Sequence, residues 1–418
     1  MTPGISIRIG LRRRSGVWAL ALGGAVLAVC SGDAHNPLIS KYTYNDHVFP
    51  ILRDKCGACH VSAGVAPMSL MTFKDALPWS ESIRTELMST RMPPWDADVG
   101  VGAFRHTAAL SARELDVVLT WATGGNPPGN PDHPAPAVTL QNDWRLGPPD
   151  LALALPTTVT LGPGTVEETR EFTIATGTSE DRGLRAVDVL PGTPAIVSSA
   201  SVSVKPNSRG DESRTSFAAE RLLAQWVPGQ GAEALDPGVA FRLPAGADLI
   251  VRIHYKKTWA HERESLTDRS TVGLYFAPPS SSDVLTFALH SLDNVPADGR
   301  ALAFGRVIDE DVQVLAFHLE SPLANASVKV DAAFADGSRL SMIHFKGTSG
   351  VSRRYWSADP IRLPRATRIE VTAMGRRGDL LPPLSSPATA SGLATVGPVH
   401  VTLDVVPIRN AGSGPTTP

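Results

Sequence analysis

The sequence predicts a multidomain α + β protein: an all-α N-terminal domain, then two antiparallel β-sandwich, jelly-roll-like domains. Three observations lead there. Between residues 40 and 125 apolar side chains recur at helical spacing, and one run opens with a capping box. A Pro-rich stretch at 126–136 then interrupts any regular structure. Beyond it, short β-type runs alternate with Gly/Pro turns almost to the end of the chain. The 418 residues allow two or three domains at about 150 residues each. With 36 Gly, 35 Pro and 6% aromatics, the composition is that of a folded, loop-rich, mainly β chain. Lys+Arg 39 against Asp+Glu 41 leaves a net charge of −2, which argues against nucleic acid as a partner. A single long apolar segment excludes a polytopic membrane protein.

That segment is the leader. Arg8, Arg12, Arg13 and Arg14 precede the apolar run Val17–Val29, the pattern of a secretory signal spanning residues 1–34, with cleavage after Ala34. Leu27-Ala28-Val29-Cys30 also resembles a lipoprotein box that would make Cys30 a lipid anchor, although Val29 stands where that pattern wants a small residue. The expectation is an exported, periplasmic protein, with outer-membrane lipid anchoring as the alternative. The apolar run is too short to leave a transmembrane helix in the mature chain.

Residues 35–126 carry the chemistry. Of three cysteines, Cys30 falls in the leader, and the other two form Cys56-Gly-Ala-Cys59-His60. CxxCH is the attachment signature of c-type haem. Two thiols on one helical turn can form thioethers with the two porphyrin vinyl groups, and the adjacent imidazole of His60 becomes an axial iron ligand. A thioredoxin-like CxxC would need a βαβ setting that the flanks do not offer. Around the motif, Asn45–Asp54 reads as a helix, Thr72 as an N-cap with Asp75 three residues on, and Ser111-Ala-Arg-Glu114 as a capping box. Leu110 and Leu115 are placed as its staple, Val118, Leu119 and Trp121 follow on the buried face, and Gly124-Gly125 with Pro127 ends the helix. For the second axial position Met92 is favoured, on the Pro-stiffened loop Arg91-Met-Pro-Pro-Trp95 before the last helix. Met68 and His106 are alternatives; Met71 and Met88 lie in the same stretch, and for any one of these methionines core filling is the competing reading.

From Tyr44 to about Pro131 the chain resembles bacterial cytochrome c-like domains. The carriers are His47-Val-Phe-Pro-Ile-Leu52, the CxxCH motif, Ala66-Pro-Met-Ser-Leu70, Arg91-Met-Pro-Pro-Trp95 and Leu110-Ser-Ala-Arg-Glu114. The resemblance implies a class I cytochrome c-like fold with one covalent haem c.

A Pro-rich linker (127–145) leads to a first sandwich (146–293) and a second (294–408), with the seam expected at Ser291–Pro296 and a disordered tail at 409–418. Strand-like runs include Arg185–Leu190, Asp248–Tyr255, Asp311–His318 and Ile369–Ala373. This region resembles the ascorbate-dependent copper type II monooxygenases, the peptidylglycine-hydroxylating class, through Ala186–Gly192, Trp226-Val-Pro-Gly229, Leu243–Leu249, Arg252-Ile-His-Tyr255, Thr271–Phe276 and Phe334-Ala-Asp-Gly337. The family holds one copper with a His-His pair and a third His; here Ser198-Ser199 stand at the pair, and His254 is retained as a relic ligand. Its second copper takes a His-x-His pair and a late Met. No His-x-His occurs in this chain; Glu320-Ser-Pro322 stands there, with His318 two residues earlier and Met374 out of context. Serine hydroxyls are poor copper ligands, so copper is not expected, and His254 reads as a strand histidine with a satisfied hydrogen bond. A reshaped site would have to draw on His254, His290, His318 or His344.

The expectation is therefore an exported monohaem c-type cytochrome passing electrons to or from a redox partner protein, with no catalytic residues assigned. Its copper-free, monooxygenase-like module would serve as docking surface or scaffold. Two other functions compete: a copper- and haem-dependent oxidoreductase of the monooxygenase type, and a non-catalytic binding subunit of a periplasmic or outer-membrane complex.

Overall fold

The computed structural model describes residues 39–205, 220–279, 281–296, 299–320, 326–347, 351–375 and 396–408. The leader with Cys30, residues 321–322 of the Glu320-Ser-Pro322 stretch and the tail from 409 lie outside the described residues. No described helix is long and apolar enough to cross a membrane.

A π-turn (Tyr44–Val48) runs into α1 (Phe49–Lys55), followed by α2 (Phe73–Ala76), α3 (Ser80–Met88) and α4 (Ala112–Thr123). Their caps are those the local sequence encodes. Thr72 accepts from the Asp75 N–H at 3.1 Å. Ser111 and Glu114 close a reciprocal capping box at the start of α4. Tyr44, Phe49, Leu52, Val118 and Trp121 form a small buried cluster. The Pro-rich segment folds back onto it: Pro127 O accepts from the Tyr44 N–H at 2.9 Å and from Trp121 Nε1 at 3.2 Å, and Val138 and Leu140 pack against the cluster.

The fold class predicted for this end is corrected here. Among the described residues there is no large all-α domain of the class I cytochrome c type. The longest described α-helix has 12 residues and the other described ones nine, seven and four, and strands predominate over helices among the described residues. The physical reason lies in the segment between α3 and α4. Trp95, Ala97 and Phe104 are apolar; Trp95 and Ala97 are buried in the core of the C-terminal sandwich and the half-buried Phe104 packs against it, rather than joining the helical layer.

The first sandwich is built from β1 (Leu151–Ala154), β2 (Val159–Leu161), β3 (Glu167–Ala175), β4 (Arg182–Leu190), β5 (Val197–Val204), β6 (Arg221–Trp226), β7 (Val239–Leu243), β8 (Asp248–Lys256), β9 (Leu266–Asp268), β10 (Thr271–Phe276) and β11 (Ser282–Asp283). One sheet runs β1-β10-β4-β7-β11, the other β3-β8-β5-β6, with β2-β9 as a small ribbon. Strand β8 shows why the layers stack. Leu249, Val251, Ile253 and Tyr255 are fully buried at every second position, and Arg252 and His254 point the other way.

The second sandwich comprises β12 (Leu285–Val295), β13 (Ala301–Val307), β14 (Val312–Leu319), β15 (Ala326–Ala333), β16 (Arg339–Phe345), β17 (Arg354–Leu363), β18 (Arg368–Gly375) and β19 (Val396–Pro407). Its sheets run β12-β19-β14-β17 and β13-β18-β15-β16. Strand β12 continues through the seam expected at 293/294. The change of sandwich falls near Val284, between β11, which pairs with β7, and β12, which pairs with β19. The two sandwiches pack on each other, and the first core continues onto Leu315, Ala316, Trp356 and Val406 of the second.

Across that contact lies an ion pair. Arg354 is 3% exposed and donates to the backbone O of Leu223 (2.7 Å) and Leu222 (2.9 Å) in β6. Its Nε sits 3.0 Å from Asp404 Oδ2, off the line of a hydrogen bond. The guanidinium lies over the rings of Phe241 and Trp356.

Candidate functional site

Helix α1 ends where the motif begins. The Cys56 N–H donates to Leu52 O at 2.9 Å, and the N–H groups of Cys59 and His60 both return to Cys56 O, at 3.1 and 2.9 Å. That tight turn sets both thiols and the imidazole on one short arc. Neither cysteine is in a disulfide. Burial pushes the thiol of Cys56 up to about 12 and that of Cys59 up to about 11, so both are neutral at physiological pH. The positive charge of Arg353 works against the rise at Cys59.

His60 is held from behind. Its Nδ1 lies 3.1 Å from Met68 O, and its pKa is lowered, chiefly by burial. A neutral ring donating through Nδ1 leaves Nε2 as the ligating nitrogen, the way metal-binding histidines are commonly oriented. The loop closes through Leu70 N–H to His60 O at 3.0 Å, and Tyr44 Oη donates to Leu70 O at 2.6 Å. Val61, Leu70 and Met71 line it with apolar surface. Two unpaired, half-buried thiols, a half-buried imidazole with Nε2 making no hydrogen bond among the described residues, and apolar walls fit a covalently attached haem.

The methionines separate. Met71 is buried, Met68 is half-buried and already lends its carbonyl to His60, and Met88 and Met92 are exposed. Met92 follows Arg91, whose guanidinium grips Glu86 through two bonds of 2.8 and 2.6 Å. His106 faces Glu233, with Nε2 3.2 Å away.

Residues from both sandwiches meet the motif. Gly229 in the turn after β6 packs on Ala58, so closely that a Cβ there would lie 2.3 Å from the Ala58 Cβ. Gln230 in the same turn accepts from Arg353 Nη1 at 3.0 Å and donates to Arg354 O at 3.0 Å. Arg353 is 7% exposed, lies over the Trp95 ring and leaves Nε without a hydrogen bond among the described residues. Sequence reading missed this junction. Trp226-Val-Pro-Gly229 enters the sequence reading only as a carrier of the monooxygenase resemblance, and nothing local indicates what it touches.

The described residues at the two sets of copper-ligand positions lie apart, one set in each sandwich. Ser199 is the cross-strand partner of His254, and Ser198 Oγ donates to His254 O at 3.1 Å. Both His254 ring nitrogens are engaged on the outer sheet face, Nδ1 by Thr169 Oγ1 at 3.0 Å and Nε2 by Glu167 Oε1 at 3.1 Å. His318 is buried in β14 with Nε2 2.9 Å from Ser352 Oγ. His344 meets Asp98, and His290 sits opposite His400 on β12 and β19. Met374 is exposed on β18. Among the described residues no three His, Cys, Asp or Glu side chains are grouped to hold a metal ion. A small polar crevice between the sandwiches is lined by Asp188, Gln225, Trp226, Phe241, Arg354 and Trp356. Burial pushes the Asp188 carboxyl up to about 6.

No family model and no curated protein matches the chain. Among solved structures it overlaps the major capsid protein P2 of bacteriophage PM2 at 10% identity, covering 63% of this chain and 99% of that one with a TM-score of 0.27. The VP2 subviral particle of infectious bursal disease virus is matched at 12% identity, over 61% of this chain and 72% of that one, with a TM-score of 0.19. A Paenibacillus xanthan lyase gives 11% identity, 65% and 28% coverage and a TM-score of 0.16. Overlaps this weak carry no inference about function.

Proposed function

We propose that the protein is an exported monohaem c-type cytochrome that exchanges electrons with a partner protein, and that its β-sandwiches form a scaffold and docking body. The observation that carries this reading is the turn at 56–60, where two unpaired, half-buried thiols stand beside an imidazole whose Nδ1 is tied to Met68 O. Cys56 and Cys59 would hold the haem covalently, His60 would supply one axial nitrogen and Met92 the other ligand. When bound, the haem supplies one-electron Fe(III)/Fe(II) chemistry. The protein orients the ring, screens it from water with Val61, Leu70 and Met71, and keeps His60 neutral. Engagement of both His254 nitrogens supports a structural role for that residue.

Co-expression with a c-type haem maturation system tests the reading. One haem per chain, resistant to acid extraction and reversibly reducible, is expected, and Cys56→Ser with Cys59→Ser should abolish covalent attachment. Full-length protein that matures without haem would overturn it.

A further inference from the structure

The segment Trp95–Arg105 does not behave as part of the helical layer. It runs along the open side of the second sandwich and pairs with both exposed edges. At β16, Ala97 bridges Phe345, the Asp98 N–H donates to His344 O at 2.8 Å, and the Lys346 N–H to Asp96 O at 2.8 Å. At β17, Phe104 bridges Ser357, the Arg105 N–H donates to Trp356 O at 2.8 Å, and the Ala358 N–H to Ala103 O at 2.8 Å. β16 and β17 are the terminal strands of their two sheets, so this one segment closes the side of the sandwich that unpaired edges would otherwise leave open. Trp95 and Phe104 fill the gap between the layers. The Trp95 ring stands edge-on to Tyr355 with centroids 4.9 Å apart, and Phe104 meets Tyr355 and Phe317 at 5.9 and 6.4 Å. Tyr355 Oη accepts from the Asp96 N–H at 3.0 Å, and Arg353 covers the other part of the Trp95 ring at 5.6 Å.

The consequence concerns Met92, three residues before Trp95. On its N-terminal side the loop is held to α3 by Arg91 and Glu86, and by the Met92 N–H to Glu86 O at 3.4 Å. On its C-terminal side it is held by the second sandwich, 260 residues away in sequence, the separation of Trp95 and Tyr355. Pro93 and Pro94 between the two anchors leave little backbone freedom. We propose that the second sandwich, through Tyr355 and the edges of β16 and β17, is the positioning device for the Met92 thioether. This rests on the haem reading above. Tyr355 and Trp95 are positioning residues; neither need touch the haem. A weak ligand such as a thioether depends on being held in place, because any slack lets water or another side chain take its position.

The test uses the full-length holoprotein and reads the ligand rather than the fold. The ferric protein is followed by its near-infrared thioether-to-iron charge-transfer band through a pH titration, and haem content is measured in parallel. Tyr355→Phe keeps the ring and deletes the Oη acceptor for the Asp96 N–H. The band should then be lost about one pH unit lower than in wild type, roughly a tenfold weaker hold on the ligand, with one haem per chain retained. Trp95→Leu should weaken the band further, and Trp95→Phe should restore most of it. Haem-loaded variants with the band and its pH midpoint unchanged would overturn the inference. Wild-type protein that holds haem but shows no thioether band would also overturn it, while leaving covalent haem attachment standing. Wild-type protein without haem would remove both.

Discussion

Replacing Gly229 by alanine probes the junction between the motif and the first sandwich. Gly229 has φ +81°, in the left-handed region, and a Cβ there would come to 2.3 Å from the Cβ of Ala58, inside the CxxCH turn. Two costs combine. The backbone conformation penalises any L side chain by ~1–2 kcal/mol. Relieving the clash requires the turn or the motif to retreat by more than an ångström, and overpacking of that kind costs typically ~1–3 kcal/mol. Gly238 separates them, since it has φ +87° and a Cβ at that position would meet nothing within 4 Å. Gly238→Ala should therefore lose only the backbone part. Urea unfolding of both variants, together with haem per chain after maturation, is the assay. Gly229→Ala should be the less stable by at least ~1 kcal/mol and should incorporate less haem. Equal losses in the two variants, with equal haem content, would refute the claim that the turn at 227–230 bears on the motif.

Two other perturbations follow from buried charge. Arg354→Met leaves Asp404, 4% exposed, without its cation and two β6 carbonyls without their donor; a loss of ~3–5 kcal/mol in chemical denaturation is expected, and a loss below ~1 kcal/mol would show that the two sandwiches do not depend on this pair. His318 is pushed down to about 3 by burial and by the charge of Arg354. Its folded pKa is depressed, so below about 6.5 the unfolded chain takes up a proton that the folded chain refuses, and stability falls as pH drops from about 6.5 toward 3 at up to ~1.4 kcal/mol per unit. Stability measured across that window should show a shallower slope in His318→Gln than in wild type, and identical slopes would contradict the buried, neutral ring.

The sequence by itself determined what is short-range in this protein. The CxxCH turn, the Thr72 cap, the Ser111–Glu114 capping box and the period-2 burial of β8 each depend on residues within a few positions of one another, where backbone geometry leaves few choices. Tertiary structure alone decided where Trp95–Arg105 belongs. Its apolar residues are as compatible with a helical layer as with a sandwich, and the choice was made by unpaired edges of β16 and β17 about 250 residues away, whose hydrogen-bonding groups and open core give the segment more to bury and to pair. That long-range pairing draws Trp95–Arg105 out of the helical end, while pairing with β19 carries β12 past the expected seam and the packing of the sandwiches brings Arg353 and Gly229 to the motif. Contacts of that separation leave no local pattern, because what selects them is the surface of a partner that exists only after the rest of the chain has folded.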